Sequence, residues 1–304
     1  MKTVLILGIS GFTGKHFQNY IQKHELYRQY EFIGVDKAQA SDCKIPLYIR
    51  NLANTKELES CIVQVEPDYI VNLVGVFGSE NFTTLLHINA EMSRNLFEII
   101  LKHKLRVHKL LIIGSAAEYG ASQDLPITEH TAPYPVTFYG LSKLIQSQYA
   151  VFYAQNFDMP VTVARTFNVI GQGLSHTLSL GSFITQIRQA QDGDCLLVGN
   201  LATKRDFLDI EDVVDAYWKI LIHGKPGQIY NVCRGQSTGI KEVLDILIAL
   251  SGKRLTVSVQ QDRVKQHDIV DSYGDNTLLN RHTGWTWTIA VAEALAKSIT
   301  AEHI

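Results

Sequence analysis

Tyr139-Gly140-Leu141-Ser142-Lys143 sets a phenol and an ammonium four residues apart, a spacing that brings both side chains to one face of a helix. A phenol titrates near 10, so it carries protons at neutral pH only if something stabilises its phenolate, and a neighbouring ammonium can do so. Lys143 is expected to lower the Tyr139 pKa in this way. A hydroxyl partner is offered by Gly114-Ser115-Ala116-Ala117-Glu118-Tyr119-Gly120, directly after an apolar run, where Ser115 can orient and polarise a carbonyl or alcohol oxygen. Ser115, Tyr139 and Lys143 thus make a proton-transfer set. A Tyr-x-x-x-Lys pair alone also reads as a surface tyrosine beside a solvated lysine, so its meaning depends on what surrounds it.

A second group of residues supplies that context. Gly8-Ile9-Ser10-Gly11-Phe12-Thr13-Gly14 has glycines at relative positions one, four and seven, after a strand-like run and at the start of a helical one. Such a turn lets a pyrophosphate approach the helix N-terminus, where free N–H groups and the helix dipole favour an anion. Alone it is weak evidence, since a tight strand-to-helix turn is the other reading. The next strand-like run, however, ends at Asp36, about 20 residues beyond the loop, where a carboxylate can accept hydrogen bonds from the adenosine ribose. A carboxylate there repels a 2′-phosphate and favours NAD(H) over NADP(H), a preference that the adjacent Lys37 softens.

The elements that must carry these residues follow from periodicity. Short apolar runs at 4–7, 32–35, 69–73, 110–113 and 161–164 read as buried strands, and 12–24, 56–65, 85–103 and 139–156 repeat apolar residues at three and four, as helices do. The alternation predicts an α/β, Rossmann-like, doubly wound parallel sheet, with ligands at the C-terminal edge of its strands. Beyond residue 171 the rhythm loosens into shorter elements, with helices near 211–222 and 240–250. The expected division is a dinucleotide-binding domain over 1–170 and a smaller, mainly substrate-binding α/β part over 171–304, some segments of which return to the first domain.

Composition narrows the function. The 304 residues are 46% hydrophobic and 19% charged, which fits a chain that folds throughout. With 28 Lys plus Arg against 30 Asp plus Glu, no basic field awaits a nucleic acid. Cys43, Cys61, Cys195 and Cys233 are far apart, and the 11 histidines include no metal-ligand spacing, so neither a disulfide framework nor a catalytic metal is expected. The first residues are basic and then apolar, but Gly8, Gly11 and Gly14 interrupt any leader, and no apolar stretch approaches the ~20 residues of a membrane span. A cytoplasmic setting is expected.

Taken together, these motifs resemble the extended short-chain dehydrogenases/reductases of the nucleotide-sugar epimerase/dehydratase group, and the resemblance covers nearly the whole chain. Ile88-Asn89-Ala90, the segment from Arg165 to Gly171, the segment from Arg205 to Asp212, and Tyr230-Asn231-Val232 stand in the order that group uses. Val198-Gly199-Asn200-Leu201 and Asp215-Ala216-Tyr217-Trp218 are most similar to its GDP-4-keto-6-deoxy-mannose reductases and GDP-mannose dehydratases. The resemblance implies catalysis by Ser115, Tyr139 and Lys143. It implies a dinucleotide held by Gly8, Gly11, Phe12, Thr13, Gly14, Asp36, Asn51, Leu52, Leu73, Asn89, Tyr139 and Lys143. It implies a nucleotide diphosphate sugar held by Ser115, Asn168, Arg205 and Lys265. Arg205 suits a diphosphate on its own terms, being a planar fork of donors, although an ion pair with Asp206 or Asp209 would serve structure alone.

Three departures from the group matter. Ala117 stands where dehydratases carry an acidic residue, and Glu118, one place later on an extended strand end, is expected to point away. The segment from Leu174 to Leu180 looks enlarged. Lys265-Gln266 replaces an Arg-Pro element, keeping a charge but losing the fork. The expected activity is NAD(P)H-dependent reduction of the 4-keto group of a nucleotide diphospho-4-keto-6-deoxyhexose. A nucleotide-sugar 4-epimerase that keeps NAD bound would use the same triad, and a non-catalytic cofactor sensor would more often show a broken one. The helix over 139–156 carries Leu141, Leu144, Ile145 and Phe152, more apolar surface than covering a sheet requires. A homodimer through it and the helix near 85–103 is expected, with intramolecular burial as the alternative. Trp285 and Trp287 are expected to pack and pin the C-terminal helix.

Overall fold

The computed structural model describes residues 1–39, 43–78, 81–264 and 268–300. Six β-strands and five helices alternate through the first half: β1 (Lys2–Leu7), α1 (Phe12–Lys23), β2 (Tyr30–Asp36), β3 (Leu47–Ile49), α2 (Thr55–Val65), β4 (Tyr69–Asn72), α3 (Phe82–Leu85), α4 (Met92–Lys102), β5 (Lys109–Ser115), α5 (Phe138–Phe157) and β6 (Val161–Thr166). The second half adds β7 (Asn168–Ile170), α6 (Ser179–Gln189), β8 (Cys195–Val198), β9 (Lys204–Asp209), α7 (Ile210–His223), β10 (Ile229–Val232), β11 (Ser237–Gly239), α8 (Ile240–Ser251), β12 (Thr256–Val259), α9 (Thr277–Thr283) and α10 (Val291–Thr300).

Seven strands form one sheet in the order β10-β6-β5-β4-β1-β2-β3. Every pairing in it is parallel. Val4 to Leu7 are fully buried, as continuous apolar runs must be when helices cover both faces. On one face β1 and β2 pack with α1 and α7; on the other, Leu5, Leu7 and Val35 join α2, α4 and α5. A third core gathers α6, β8, α8 and α10. Two small sheets complete the second half, β11-β9-β7 and β12-β8. The exposed margin of β8 is closed by Gln186, whose side-chain amide accepts from Leu197 N (2.9 Å) and donates to Leu197 O (3.1 Å).

Two carboxylates weld these parts together. Asp206 is fully buried and accepts hydrogen bonds from the backbone N–H groups of Arg234 (2.8 Å), Gly235 (2.9 Å) and Gly274 (3.3 Å). Asp212 accepts from Thr288 N, Thr288 Oγ1 and Ile289 N. Fully buried Trp285 donates its indole N–H to the Asp212 carbonyl, and the Arg234 guanidinium lies 4.9 Å from the Trp287 ring centroid, so both tryptophans pack, as expected.

At Gly14 the helix α1 presses on the preceding turn: a Cβ there would lie 2.2 Å from Ile9 O. Gly14→Ala is therefore expected to lower stability by about 1–3 kcal/mol through overpacking, read as a lower urea midpoint. Burial pushes the Asp206 carboxyl up to about 6, against about 3.9 in an unfolded chain. Its contribution is fully present below the unfolded value and is lost as pH rises through 6. Asp206→Asn is expected to flatten the fall in urea midpoint between about pH 4 and pH 6. An unchanged slope would remove Asp206 from that titration.

Candidate active site

The site is built where the strands of the main sheet end. After β1, Gly8 takes a φ of +83° and its turn leads into α1, whose N-cap, Gly11, offers no side-chain cap. The first turn of α1, with Phe12 and Thr13, contains no acidic residue, so its amides are available to an anion. Asp36, at the end of β2, accepts from Ser10 N (2.9 Å) and Lys37 N (2.7 Å), fastening the loop to the edge where a ribose would lie. Ser10 Oγ is buried with no hydrogen-bond partner among the described residues. An uncapped helix start, a carboxylate at the second strand and an orphaned hydroxyl fit a dinucleotide. Asn51 is exposed and its side chain accepts from Ala53 N (3.2 Å), whereas the Leu52 side chain is buried in the α2–α4 core. Leu73 extends β4 by donating its N–H to Leu7 O (2.9 Å).

Ser115 is the last residue of β5 and caps a 3₁₀ turn, Ala116–Glu118. Thr137 caps α5 by accepting from Gly140 N (3.0 Å), and Gly140 packs so tightly on the turn that a Cβ would lie 2.4 Å from Ala117 O. That approach sets the half-buried Tyr139 beside the turn that carries Ser115. Lys143, one turn further, is buried and donates from Nζ to Ile113 O at 2.5 Å. Asn89, fully buried in the π-helical stretch Leu86–Glu91, accepts from Val76 N (2.8 Å) and donates to Val76 O (3.0 Å) and Ser142 Oγ (2.9 Å). It clips the loop after β4 to α5. Local widening of a helix of this kind often marks a functional position.

The electrostatics correct one expectation. Burial pushes the Tyr139 phenol up, the Ser115 hydrogen bond opposes and the Glu118 charge reinforces this, so the phenol is held protonated rather than brought down by Lys143. Lys143 is itself lowered to about 8 by burial, its ammonium committed to the Ile113 carbonyl. Glu118 does turn away from Tyr139, but through the 3₁₀ turn and not through strand alternation: its oxygens accept from Ser115 N (2.8 Å) and Arg165 Nε (2.6 Å).

On the substrate side, Asn168 is exposed at the start of β7. Arg205 on β9 donates to Asp268 Oδ1 (3.0 Å) and Ile269 O (2.7 Å), and Asn200 holds the other Asp268 oxygen (3.2 Å). The ion pair is thus with Asp268, not Asp206 or Asp209. Asp206 binds backbone amides, and Asp209 caps α7. Asp268 and Asn200 were not singled out as partners, because nothing local ties a residue on β9 to one 63 positions away. Lys265 lies outside the described residues. Among the described residues no group of three His, Cys, Asp or Glu could hold a metal.

The model of the NAD dependent epimerase/dehydratase family matches residues 4–233. The chain is 30% identical over 302 residues to GDP-6-deoxy-D-mannose reductase of Pseudomonas aeruginosa, covering 96% of this chain and 94% of that one. It is 24% identical to GDP-6-deoxy-D-talose 4-dehydrogenase of Aggregatibacter actinomycetemcomitans, covering 91% and 90%. The solved structure of RMD from Pseudomonas aeruginosa complexed with NADPH superposes with a TM-score of 0.82 at 26% identity, covering 99% of this chain and 98% of that one. The glycine turn, the Ser115-Tyr139-Lys143 cluster and these matches together establish that the chain belongs to the NAD dependent epimerase/dehydratase family, within the extended short-chain dehydrogenases/reductases.

Proposed function

We propose that the protein reduces the 4-keto group of a nucleotide diphospho-4-keto-6-deoxyhexose, with GDP as the nucleotide, at the expense of NADH or NADPH. One observation carries this reading: a phenol that burial holds protonated, on the helix turn packed against the Ser115 turn, with Ala117 where a carboxylate base would otherwise stand. The likeness to GDP-6-deoxy-D-mannose reductase supports the substrate class.

Gly8, Gly11, Phe12, Thr13 and Gly14 would receive the dinucleotide pyrophosphate, and Asp36 its adenosine ribose, with Asn51, Leu52, Leu73 and Asn89 along its length. The carboxylate of Asp36 favours NAD(H), and Lys37 softens that bias. When bound, the nicotinamide supplies the hydride for sugar C4. Ser115 Oγ donates a hydrogen bond to the C4 oxygen and holds it against Tyr139. The phenol gives its proton to that oxygen as negative charge develops there. Lys143 holds the nicotinamide ribose, while Asn168 and Arg205 hold the nucleotide sugar. Arg205 keeps a fixed orientation through Asp268 and Asn200, and Lys265 adds a cation. Residues 1–170 thus serve the dinucleotide and 171–304 mainly the sugar nucleotide.

The surface of α5 supports a homodimer. Its buried face is polar over Ser142, Lys143, Gln146 and Ser147 and apolar only at Ala150 and Tyr153, whereas Phe138 and Phe152 are 56% and 51% exposed. All four cysteines are free, which suits a reducing cytoplasm.

Tyr139→Phe is expected to lower kcat by about 10²- to 10⁴-fold, measured as loss of reduced-cofactor absorbance with a preformed keto sugar. An undiminished rate would remove Tyr139 from the mechanism. GDP-mannose itself is expected to remain unconverted, since Ala117 offers no base for the C5 proton; its conversion to the keto sugar would overturn the reductase assignment. Stoichiometric NAD retained on purification, with turnover needing no added reductant, would favour the 4-epimerase. Leu141→Glu combined with Phe152→Glu is expected to give a monomer by light scattering.

A further inference from the structure

Beneath Ser115 and Tyr139 lies a buried ion pair, Glu118 with Arg165. Glu118 is fully buried and Arg165 is 2% exposed, with Nε to Oε2 at 2.6 Å. The other Glu118 oxygen accepts the Ser115 N–H. The strand is shaped around this carboxylate: Gly114 pairs with Arg165 across β5 and β6, and a Cβ at Gly114 would lie 2.6 Å from Glu118 Oε1. Arg165 in turn lies over the Tyr119 ring, 4.7 Å from its centroid. The Tyr119 hydroxyl donates to Asn231 Oδ1 (2.7 Å), and Asn231 Nδ2 donates to Ile127 O (2.9 Å). The Ser115 amide is therefore tied, through one carboxylate, to β10 and to the loop that carries Ile127. A buried ion pair commonly adds no more stability than an apolar pair of equal volume, so stability alone does not account for it.

We propose that Glu118, locked by Arg165, is a positioning residue for the reduction, fixing the backbone of Ser115 and so the hydroxyl that meets Tyr139. The proposal rests on the reductase reading above. The titratable and charged groups around Tyr139 are Lys143 from its own helix, Glu118 in the turn after β5, which acts on the phenol through its charge while its oxygens bind Ser115 N and Arg165, and Tyr217 of α7, whose phenol bonds Thr166 Oγ1 at 2.6 Å. The Glu118 charge acts upward on both Tyr139 and Lys143, favouring the protonated phenol that a reductase needs over the phenolate that would have to accept the C4 hydroxyl proton in the first step of an epimerase.

Two variants test this. Glu118→Gln keeps an acceptor for the Ser115 N–H and removes the charge. Glu118→Leu/Arg165→Met replaces the pair by apolar groups, so that the chain folds even if the single variant does not. For the double variant the expected result is wild-type affinity for NADPH and the sugar nucleotide with kcat down about 100-fold, the size of loss that follows a small misplacement of a reacting group. The Tyr139 phenolate absorbance, taken as the difference from the Tyr139→Phe chain, should also titrate at lower pH in both variants. A folded double variant with kcat within about twofold of wild type and an unmoved titration would overturn the proposal, leaving a purely structural pair. Should the wild-type chain reduce no keto sugar, the reductase reading falls, while the absorbance titration still judges Glu118 independently.

Discussion

The contact between Gly140 and the Ala117 carbonyl is the constraint on which the site depends. A sheet strand and a helix on its flank ordinarily meet side chain to side chain, at a separation too wide for a serine on one to touch a tyrosine on the other. Here the first turn of α5 lies on bare backbone, and Tyr139 is carried close to the turn that bears Ser115. Two further links hold the arrangement: Lys143 to the Ile113 carbonyl inside β5, and Asn89 to Ser142 from the helix alongside. Each joins α5 to a different neighbour, so rotation of the helix would break several at once.

This geometry has an electrostatic cost. Lys143, Glu118, Arg165 and Asp206 are all nearly excluded from water. Each is compensated by fixed dipoles or an opposite charge: a backbone carbonyl for the lysine, three amides for Asp206, and the Glu118–Arg165 pair for each other. The helices and strand ends that supply those dipoles are set by the fold, not by substrate. The polar groups at the sheet edge are thus oriented before any ligand arrives, which is the arrangement that lets a proton move without reorganising its surroundings.

Much of this was legible in the amino-acid sequence, and for physical reasons. Strands covered on both faces must be apolar throughout, so β1, β2, β4, β5 and β6 stand out; β3 and β7, three residues each and partly exposed, carry no such pattern. The helix over 85–103 reads as one piece because a single π-helical widening leaves the apolar period nearly intact, although it is what aims Asn89. Tyr139, Lys143 and Ser115 were legible because their relation is local or lies at a strand end. The direction of the Tyr139 shift was not, since it is set first by burial and then by the Glu118 charge, and both arise only when the turn after β5 packs on α5. Arg205 and Asp268 illustrate the same limit: their pairing is made by β9 and the segment following residue 267, which meet only in three dimensions.

The small β12-β8 sheet invites a different thought. A two-stranded parallel ribbon on a protein surface has unsatisfied amides along its margin, and another chain can add a strand there. Gln186 fills that role from within, its carboxamide imitating a peptide group opposite Leu197. One residue of α6 acts as a false strand, one peptide long, that denies the ribbon a growing end.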